Sequence, residues 1–299
     1  CSRGRPVVVV NGRLSDRSFP RYRRWARPMT LRVLPMLRHV CAQSAEDRRR
    51  FIELGASPDR VEVVGSAKYD ATPPDPAATD AIRRELIAAG FPADAVWLVG
   101  GSTWPGEEVA LLGTFRECRQ REPRLRLILV PRHAERGAAL AAKIQRLGFS
   151  LYRRSNGSRS AGAPDVALFD TTGELGAVYG LADVVFVGKS LTARGGQNPI
   201  EPALCGRPIV CGPHMENFRA ILEDFSEQNA IRIVADSVEL SRGVAEWLAD
   251  PSARKAAGER ALEVVRQKAG AIRRTVDALQ HILGEHREME GGSAPAVSA

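Results

Sequence analysis

The sequence predicts an α/β fold with parallel sheets, divided between two domains. Short runs rich in β-branched residues, such as those at 7–10 and 184–187, alternate with segments of helical periodicity, which is the rhythm of βαβ units with right-handed crossovers. Several of these runs end directly in glycine, as buried parallel strands do where they lead into loops. With 299 residues, 44% of them hydrophobic, the chain can form two cores of ordinary domain size.

The first 70 residues contain three strand-like runs and two predicted helices. The second helix has Ser44 as its N-cap, Asp47 in the capping-box position and Gly55 as its stop. The strands are predicted at 7–10, at 39–42 and from 61, and the helices at 19–29 and 45–54.

The segment TPPDP at 72–76 breaks regular structure, so we place the domain boundary near residue 70. Residues 1–70 then form the first domain, 71–285 the second, and 286–299 a tail that we expect to be disordered. In the second domain, strands are predicted at 95–101, 125–130, 149–152, 166–170, 184–188 and 208–212, helices at 77–90, 107–121 and 134–148, and two long helical stretches from Val238.

Most of the positive charge lies in the first 50 residues, where thirteen arginines face three acidic residues for a net charge of +10, against +8 for the whole chain. Such a segment suits nucleic acid, anionic lipid head groups or phosphorylated substrates, or it is simply a solvated surface. Phe19, Tyr22, Trp25 and Met29 form a stripe at helical spacing among these arginines, typical of a core-facing helix or of a helix at a membrane surface. No recognised nucleic-acid motif accompanies these aromatic residues, so nucleic acid is the weakest of these partners.

Five cysteines stand widely apart without a CxxC pair, so the sequence predicts neither a disulfide framework nor a zinc site, and a reducing cytosolic compartment fits best. No stretch approaches eighteen consecutive apolar residues, so no membrane-spanning helix is predicted. The chain begins with Cys1 and enters a buried strand almost at once, which leads us to expect that it starts within a domain.

The stretch 195–213, GGQNPIEPALCGRPIVCGP, combines a loop, a helix start and a strand, and the predicted strand DVVFVGKS lies just upstream of it. Ligands of open α/β sheets bind where such strands end. Asn198 suits the N-cap, Pro199 the first helical position, and Glu201 follows three residues after the cap. Two interpretations stay open: Asn198 and Glu201 form only a capping box, or Glu201 accepts both hydroxyls of a ribose. The glycine pair before the cap favours a ligand, since a cap does not require it.

Three more loops follow predicted strands and carry groups suited to an anion or a nucleotide. GGSTWPGEE at 100–108 offers two hydroxyls, PRHAER at 131–136 offers an arginine and a histidine, and TTGEL at 171–175 opens a helix with Thr172 as the expected cap. The absence of GxGxxG with a following acidic residue and of GxxxxGK[ST] disfavours dinucleotide oxidoreductases and P-loop enzymes, and HExxH and GxSxG are also missing. A transferase with a nucleotide leaving group fits this inventory best.

The sequence resembles the bacterial Kdo transferases from residue 7 to about residue 280, and seven motifs in the same order carry the resemblance. These enzymes move 3-deoxy-D-manno-octulosonic acid (Kdo) from its CMP conjugate to a lipid A precursor. The resemblance implies a B-type glycosyltransferase fold of two Rossmann-like domains, of which the N-terminal, acceptor-binding one is incomplete here and the C-terminal one binds the donor. The motifs are NGRLSDRS, GSAKYD, GSTWPGEE, LILVPRHAER, DTTGELGAVYGLADVVFVGKSL, GGQNPIEPA and GPH.

The resemblance also implies the site residues. Lys68 corresponds to a lysine that stabilises the transition state, whereas Trp104 and Gln197 stand where many members have histidine. The implied CMP-binding residues are Pro131, Arg132, Gly173, Glu174, Leu175, Asn198, Pro199, Ile200 and Glu201. Further contacts with donor or acceptor are expected from Asn11, Arg13, Ser102, Thr103, His133 and Gln197.

The implied function is inverting transfer of Kdo from CMP-Kdo to lipid IV(A) or a related phosphorylated glycolipid, without a metal or cofactor, on the anionic cytoplasmic face of the inner membrane. The family's membrane anchor, the first half of its acceptor domain and its general-base glutamate would precede Cys1. We therefore expect the 299-residue chain by itself to catalyse little transfer, because a general base contributes a factor of roughly 10² to 10⁴ to the rate. The alternatives are a UDP-sugar-dependent B-type glycosyltransferase or epimerase, and an inactive remnant that binds only nucleotide or anionic lipid.

Overall fold

The computed structural model describes residues 5–159 and 162–291. The chain forms two compact units, of which the first takes in the residues up to Ala71 and those from Arg266 onward, and the second is Thr72–Val265. Within the described residues, the first unit contains a three-stranded parallel sheet and the second an eight-stranded, mostly parallel one. The α/β fold predicted from the sequence is confirmed.

In the first unit, a small parallel sheet packs against helices. Its elements are β1 (Val8–Gly12), α1 (Ser18–Trp25), α2 (Arg27–Val33), β2 (His39–Ala42), α3 (Ala45–Glu53) and β3 (Val61–Val63). The strands lie in the order β1-β2-β3, so the central strand β2 is covered on both edges. Phe19 from α1, Val40 from β2 and Phe51 from α3 meet in one buried cluster that holds this sheet to its helices.

Local capping and proline chemistry set the helix boundaries of this unit. The single helix predicted at 19–29 is divided at Ala26, because Pro28 lies in the first turn of α2 and cannot continue the hydrogen bonds of α1. Helix α3 begins as predicted, with Ser44 Oγ accepting a hydrogen bond from the Asp47 N–H at 3.0 Å. The Asp47 carboxylate accepts in turn from the Leu14 N–H at 2.8 Å, so the same cap fixes the loop after β1.

The stripe on α1 and α2 does not face the core. Phe19 is buried, but Tyr22, Trp25 and Met29 are 41%, 77% and 56% exposed. The core-facing interpretation is therefore wrong for three of the four residues. The guanidinium of Arg24 lies 5.2 Å from the centre of the Trp25 ring, so cations and apolar groups are interleaved on this surface.

The second unit is built on a sheet whose strands are β4 (Val96–Thr103), β5 (Leu125–Pro131), β6 (Leu151–Arg153), β7 (Ser158–Arg159), β8 (Val166–Leu168), β9 (Val184–Val187), β10 (Ile209–Cys211) and β11 (Ile231–Ile233). They lie in the order β11-β10-β9-β4-β5-β8-β6-β7, and every pairing is parallel except β6 with β7. Every residue of β4, β5 and β9 is buried, as expected for strands covered on both faces. Neither β7 nor β11 was predicted from the sequence, because β7 is two polar residues in a glycine-rich stretch and β11 is a three-residue segment with an arginine at its centre.

The helices that cover this sheet are α4 (Pro76–Ala88), α5 (Glu107–Arg119), α6 (Gly137–Arg146), α7 (Leu175–Tyr179), α8 (Ile200–Leu204), α9 (Arg219–Glu227), α10 (Ser237–Ala249) and α11 (Pro251–Lys268). A last helix, α12 (Ala271–Gly291), follows them. Among residues 5–159 and 162–291, none of the helices combines the length and the apolar character needed to cross a membrane.

The residues from Arg266 onward group with the first unit, whereas the sequence assigned residues up to 285 to the second. The cause is a set of contacts made by residues before the domain boundary. The Asp70 carboxylate accepts hydrogen bonds from the N–H groups of Gly270 and Ile272, and Arg274 Nε donates to the Val64 carbonyl at 2.8 Å. The tail was expected from residue 286, but α12 continues to Gly291; residues 292–299 lie outside the described part of the chain.

Candidate functional site

The loops singled out in the sequence leave adjacent strands of the larger sheet. From β4 the chain adds β5, β8 and β6 on one side, and it then returns to add β9, β10 and β11 on the other. The strand order therefore reverses between β4 and β9, and crevices at such reversals are the usual ligand sites of open α/β sheets. The loops after β4, β5, β8, β9 and β10 all emerge at this carboxyl edge.

A buried carboxylate joins the two loops at the reversal. Glu107, which is fully buried at the start of α5, accepts from the N–H groups of Trp104 and Lys189 at 2.8 Å through Oε2. Its Oε1 accepts from Ser190 at 2.8 Å and from Leu191 at 2.9 Å. The sequence suggested only a helix start here. Its partners at 189–191 lie 82 to 84 residues away, so local spacing could not reveal the interaction.

Backbone strain occurs near the ends of β4 and β9, and also at the end of β1 in the first unit. Asn11, Ser102 and Lys189 have φ values of 52°, 52° and 55°, in the left-handed region that residues other than glycine seldom adopt. Asn11 lies in β1, Ser102 near the end of β4, and Lys189 two residues after the end of β9. Strain of this kind persists where the surrounding structure enforces it, and it collects at ligand sites.

The Asn-Pro-Ile-Glu segment differs from the predicted capping box. Helix α8 begins at Ile200, and Asn198 Oδ1 accepts from the Ile200 N–H at 3.1 Å because the intervening proline has no N–H to offer. Glu201 Oε1 accepts from the side-chain amide of Asn198 at 3.2 Å, not from a backbone N–H. The carboxylate of Glu201 also lies near Tyr179, whose pKa is raised by burial first and by Glu201 second. Asn198 and Glu201 are thus brought together, as a side-chain pair.

The glycine pair before this segment has a packing role. Gly195 and Gly196 have φ values of 117° and 69°. A β-carbon on Gly195 would lie 2.8 Å from Asn217 Nδ2, and one on Gly196 would overlap the Met215 side chain. The fold itself therefore requires glycine at both positions. The glycine pair is then no longer evidence that a ligand binds here. The half-buried Gln197 follows directly.

The Gly-Glu-Leu segment is held by a salt bridge. Arg154 donates to Glu174 Oε1 from Nε at 3.1 Å and from Nη2 at 2.9 Å, and this bond raises the pKa of Arg154. Thr172 is not the helix cap, because Gly173 adopts a φ of 88° and α7 begins only at Leu175. The predicted cap is wrong, but the segment still lies after β8, at the carboxyl edge.

The loops after β4 and β5 contact each other. Pro131 pairs with Thr103, and the Arg132 N–H donates to the Thr103 carbonyl at 3.1 Å. The side chains of Arg132 and His133 are exposed beyond the strand, and the His133 ring meets the Trp104 ring edge-on at 5.0 Å between centroids. Thr103 is fully buried, and its hydroxyl donates to Glu108 at 3.1 Å. The hydroxyl of Thr103 is therefore used in a buried hydrogen bond within the second unit.

The remaining candidates, Asn11, Arg13 and Lys68, belong to the first unit. The side chain of Asn11 accepts from Gln43 Nε2 at 2.8 Å and from the Ala67 N–H at 3.4 Å, which connects the end of β1 to the turn that carries Lys68. Burial, and secondly the nearby charge of Arg13, lower the pKa of Lys68. The structure thus brings these three residues into one neighbourhood of the first unit, while the CMP-site candidates all lie in the second.

Comparison with solved structures identifies the family. The structure of the C-terminal CMP-Kdo binding domain of WaaA from Acinetobacter baumannii is 30% identical, with a TM-score of 0.58, and the match covers 98% of that chain and 63% of this one. The chain belongs to the Kdo transferase family. The family profile for 3-deoxy-D-manno-octulosonic-acid transferase (kdotransferase) matches residues 1–71.

Kdo transferases of two pathogens are similar over most of the chain. The protein from Bordetella pertussis is 35% identical over 95% of this chain, and that from Haemophilus influenzae is 30% identical over 93%. The chain spans 65% and 64% of the lengths of these relatives. The Anabaena protein HepE in complex with UDP, at 16% identity and a TM-score of 0.55, covers 93% of this chain and shares the fold alone.

Replacing Glu107 by Gln should destabilise the second unit by about 3 kcal/mol, because the amide offers one acceptor oxygen and turns two N–H donors against the buried backbone N–H groups. Urea denaturation measures the change. Glu117→Gln, an exposed position on the same helix, serves as the matched control and should change stability by less than about 0.5 kcal/mol. Equal stabilities of the two variants would contradict the role given to Glu107.

Proposed function

We propose that the whole protein is an inverting glycosyltransferase that transfers Kdo from CMP-Kdo to lipid IV(A) in lipopolysaccharide biosynthesis. The observation that carries the proposal is the 30% identity to a CMP-Kdo binding domain over 63% of this chain, whose CMP-site motifs follow strands β5, β8 and β9 at one edge of the larger sheet. Membership of the family supports CMP-Kdo as the donor, and lipid IV(A) is proposed as the acceptor on the same ground.

In this proposal the second unit binds the nucleotide part of the donor. Arg132, exposed after β5, suits the phosphate, because a guanidinium can donate two parallel hydrogen bonds to it. Glu201 suits the ribose, because a carboxylate accepts from both hydroxyls, and only one of its oxygens is engaged by Asn198. In this proposal Glu201 positions the nucleotide, and Arg132 compensates the negative charge of its phosphate.

The transfer itself would be a single displacement, which inverts the anomeric carbon. The acceptor oxygen forms a bond to that carbon while the bond to the phosphate oxygen breaks, and the electron pair leaves with CMP. A general base takes the hydroxyl proton. Negative charge then grows on the departing phosphate, and a cationic group of the second unit such as Arg132 would offset it. No step in this scheme calls for a metal or a cofactor.

We also propose that α1 and α2 bind the anionic cytoplasmic surface of the inner membrane, close to the phosphorylated acceptor. The support is the exposed face described above, where Trp25 and Met29 stand among arginines, together with Met36, which is 55% exposed. Amphipathic helices of this composition lie in the membrane interface. Each Lys or Arg near an anionic surface contributes about 1 kcal/mol, so several of them suffice for reversible attachment.

The donor assignment predicts a nucleotide preference. Isothermal titration should show CMP binding at least tenfold tighter than UDP, and EDTA should leave the CMP affinity unchanged. Tighter binding of UDP would overturn the Kdo assignment in favour of a UDP-sugar enzyme. Absence of binding by either nucleotide would overturn the donor site itself.

Glu201→Gln separates a ribose contact from a purely structural role. A hydrogen-bonded carboxylate should contribute about 1.5 to 3 kcal/mol, so CMP affinity should fall roughly 10- to 150-fold, because the amide presents one acceptor and one unwanted donor. Thermal denaturation should register a change of only about 0.5 kcal/mol. Glu227→Gln, an exposed position at the end of α9, is the control and should leave both quantities unchanged. Parental CMP affinity in Glu201→Gln would show that the residue serves only the fold.

Membrane attachment should depend on salt and on the exposed aromatic residue. Co-sedimentation with liposomes containing anionic lipid should fall steeply between low and high NaCl, because screening weakens the arginine contacts. Trp25→Ala should weaken binding further, and liposomes of neutral phosphatidylcholine should bind little at any salt concentration. Binding that is insensitive to salt would argue against the proposed surface.

A further inference from the structure

Lys189 lies at the strand-order reversal, and neither the sequence motifs nor the comparisons assign it a role. Its ammonium nitrogen is 4.8 Å from the centre of the Trp104 ring. The Trp104 ring in turn meets the His133 ring edge-on. The three side chains therefore form a row along the carboxyl ends of the adjacent strands β9, β4 and β5.

The backbone of Lys189 is fixed from both sides. Its N–H donates to the buried Glu107 at 2.8 Å, and its carbonyl accepts from the Gly196 N–H at 2.9 Å. Its φ of 55° is one that glycine adopts freely and a lysine adopts only at a cost. A lysine at this position thus reduces stability relative to glycine, which calls for a compensating use of its side chain.

The kind of cation is also informative. Of the 43 lysines and arginines in the chain, five are lysines, so arginine is the ordinary cation of this sequence. An ammonium group is a compact charge with rotatable donors, suited to a phosphate oxygen at close range. The half-buried position and the contact with Trp104 limit where this charge can lie.

We propose that Lys189 binds the phosphate of the nucleotide donor, with Trp104 holding its ammonium at the mouth of the reversal between β4 and β9. This inference rests on the proposed function, because it requires a cytidine nucleotide at this edge of the sheet. It adds a second cation to the exposed Arg132, on the opposite side of β4.

The test compares CMP with cytidine, which lacks the phosphate. Lys189→Met keeps the β-carbon and the length of the side chain, so it removes the charge while the backbone cost stays. Isothermal titration should show at least a tenfold loss of CMP affinity in this variant and less than a twofold change for cytidine. Lys189→Arg should keep CMP affinity within about threefold of the parent. Lys255→Met, an exposed lysine on α11 that pairs with Glu259 at 3.7 Å, should bind both as the parent does.

A glycine variant tests the backbone argument separately. Lys189→Gly should raise the Tm by roughly 2–4 °C, because the left-handed backbone is then free of cost, and it should lose CMP affinity as the methionine variant does. Parental CMP affinity in either variant would overturn the inference and leave the proposed function standing. Equal losses for CMP and cytidine would also overturn it, since they would report a displaced loop. Failure of the parent to bind CMP would overturn both.

Discussion

The candidate site depends on one buried carboxylate. Glu107 satisfies both of its oxygens with four backbone N–H groups, one from the loop after β4 and three from the loop after β9. A carboxylate removed from water is tolerated only when its hydrogen bonds are complete, so neither loop can move without exposing it or breaking them. The loops after β4 and β9 are therefore held in fixed positions relative to each other, and the backbone that carries the side chains at the strand-order reversal is rigid.

Glycine lets the strand ends approach closely enough for this arrangement. A β-carbon on Gly188 would overlap the Ser102 carbonyl, and one on Gly212 would overlap the Ser190 carbonyl. The ends of β4, β9 and β10 therefore touch through their backbones. Glycines at these positions look in the sequence like simple strand terminators, but the structure shows that they are packing requirements between neighbouring strands.

Features that depend on nearby residues could be predicted from the sequence, and those that depend on distant residues could not. The longer strands and the cap at Ser44 follow from local pattern, and the structure confirms them. The starts of α7 and α8 were displaced by the backbone preferences of Gly173 and Pro199, which a spacing rule does not weigh. The Glu107 interaction was missed because its partners are more than eighty residues away.

The site residues also divide into those that could be predicted from local sequence and those that depend on distant residues. The loops of the second unit were predicted to converge, and the sheet order brings their strands side by side. Lys189 could not be recognised, because its significance lies in a backbone angle and in a ring contributed by another strand. From the sequence, the glycine pair at 195–196 was attributed to the approach of a ligand. In the structure, the close packing of Met215 and Asn217 explains why glycine is needed at these two positions.

The discontinuous first unit has a consequence for synthesis of the protein. Asp70 cannot form its hydrogen bond with Gly270 until that residue, 200 positions later in the chain, has been synthesised. At roughly 5–20 residues per second, translation of this interval takes about 10–40 s. The second unit is one contiguous segment, so it has all its strands while the first unit still lacks α12. The unit that emerges first is thus completed last, and its arginine-rich helices are present in the cell before the unit that carries them is whole.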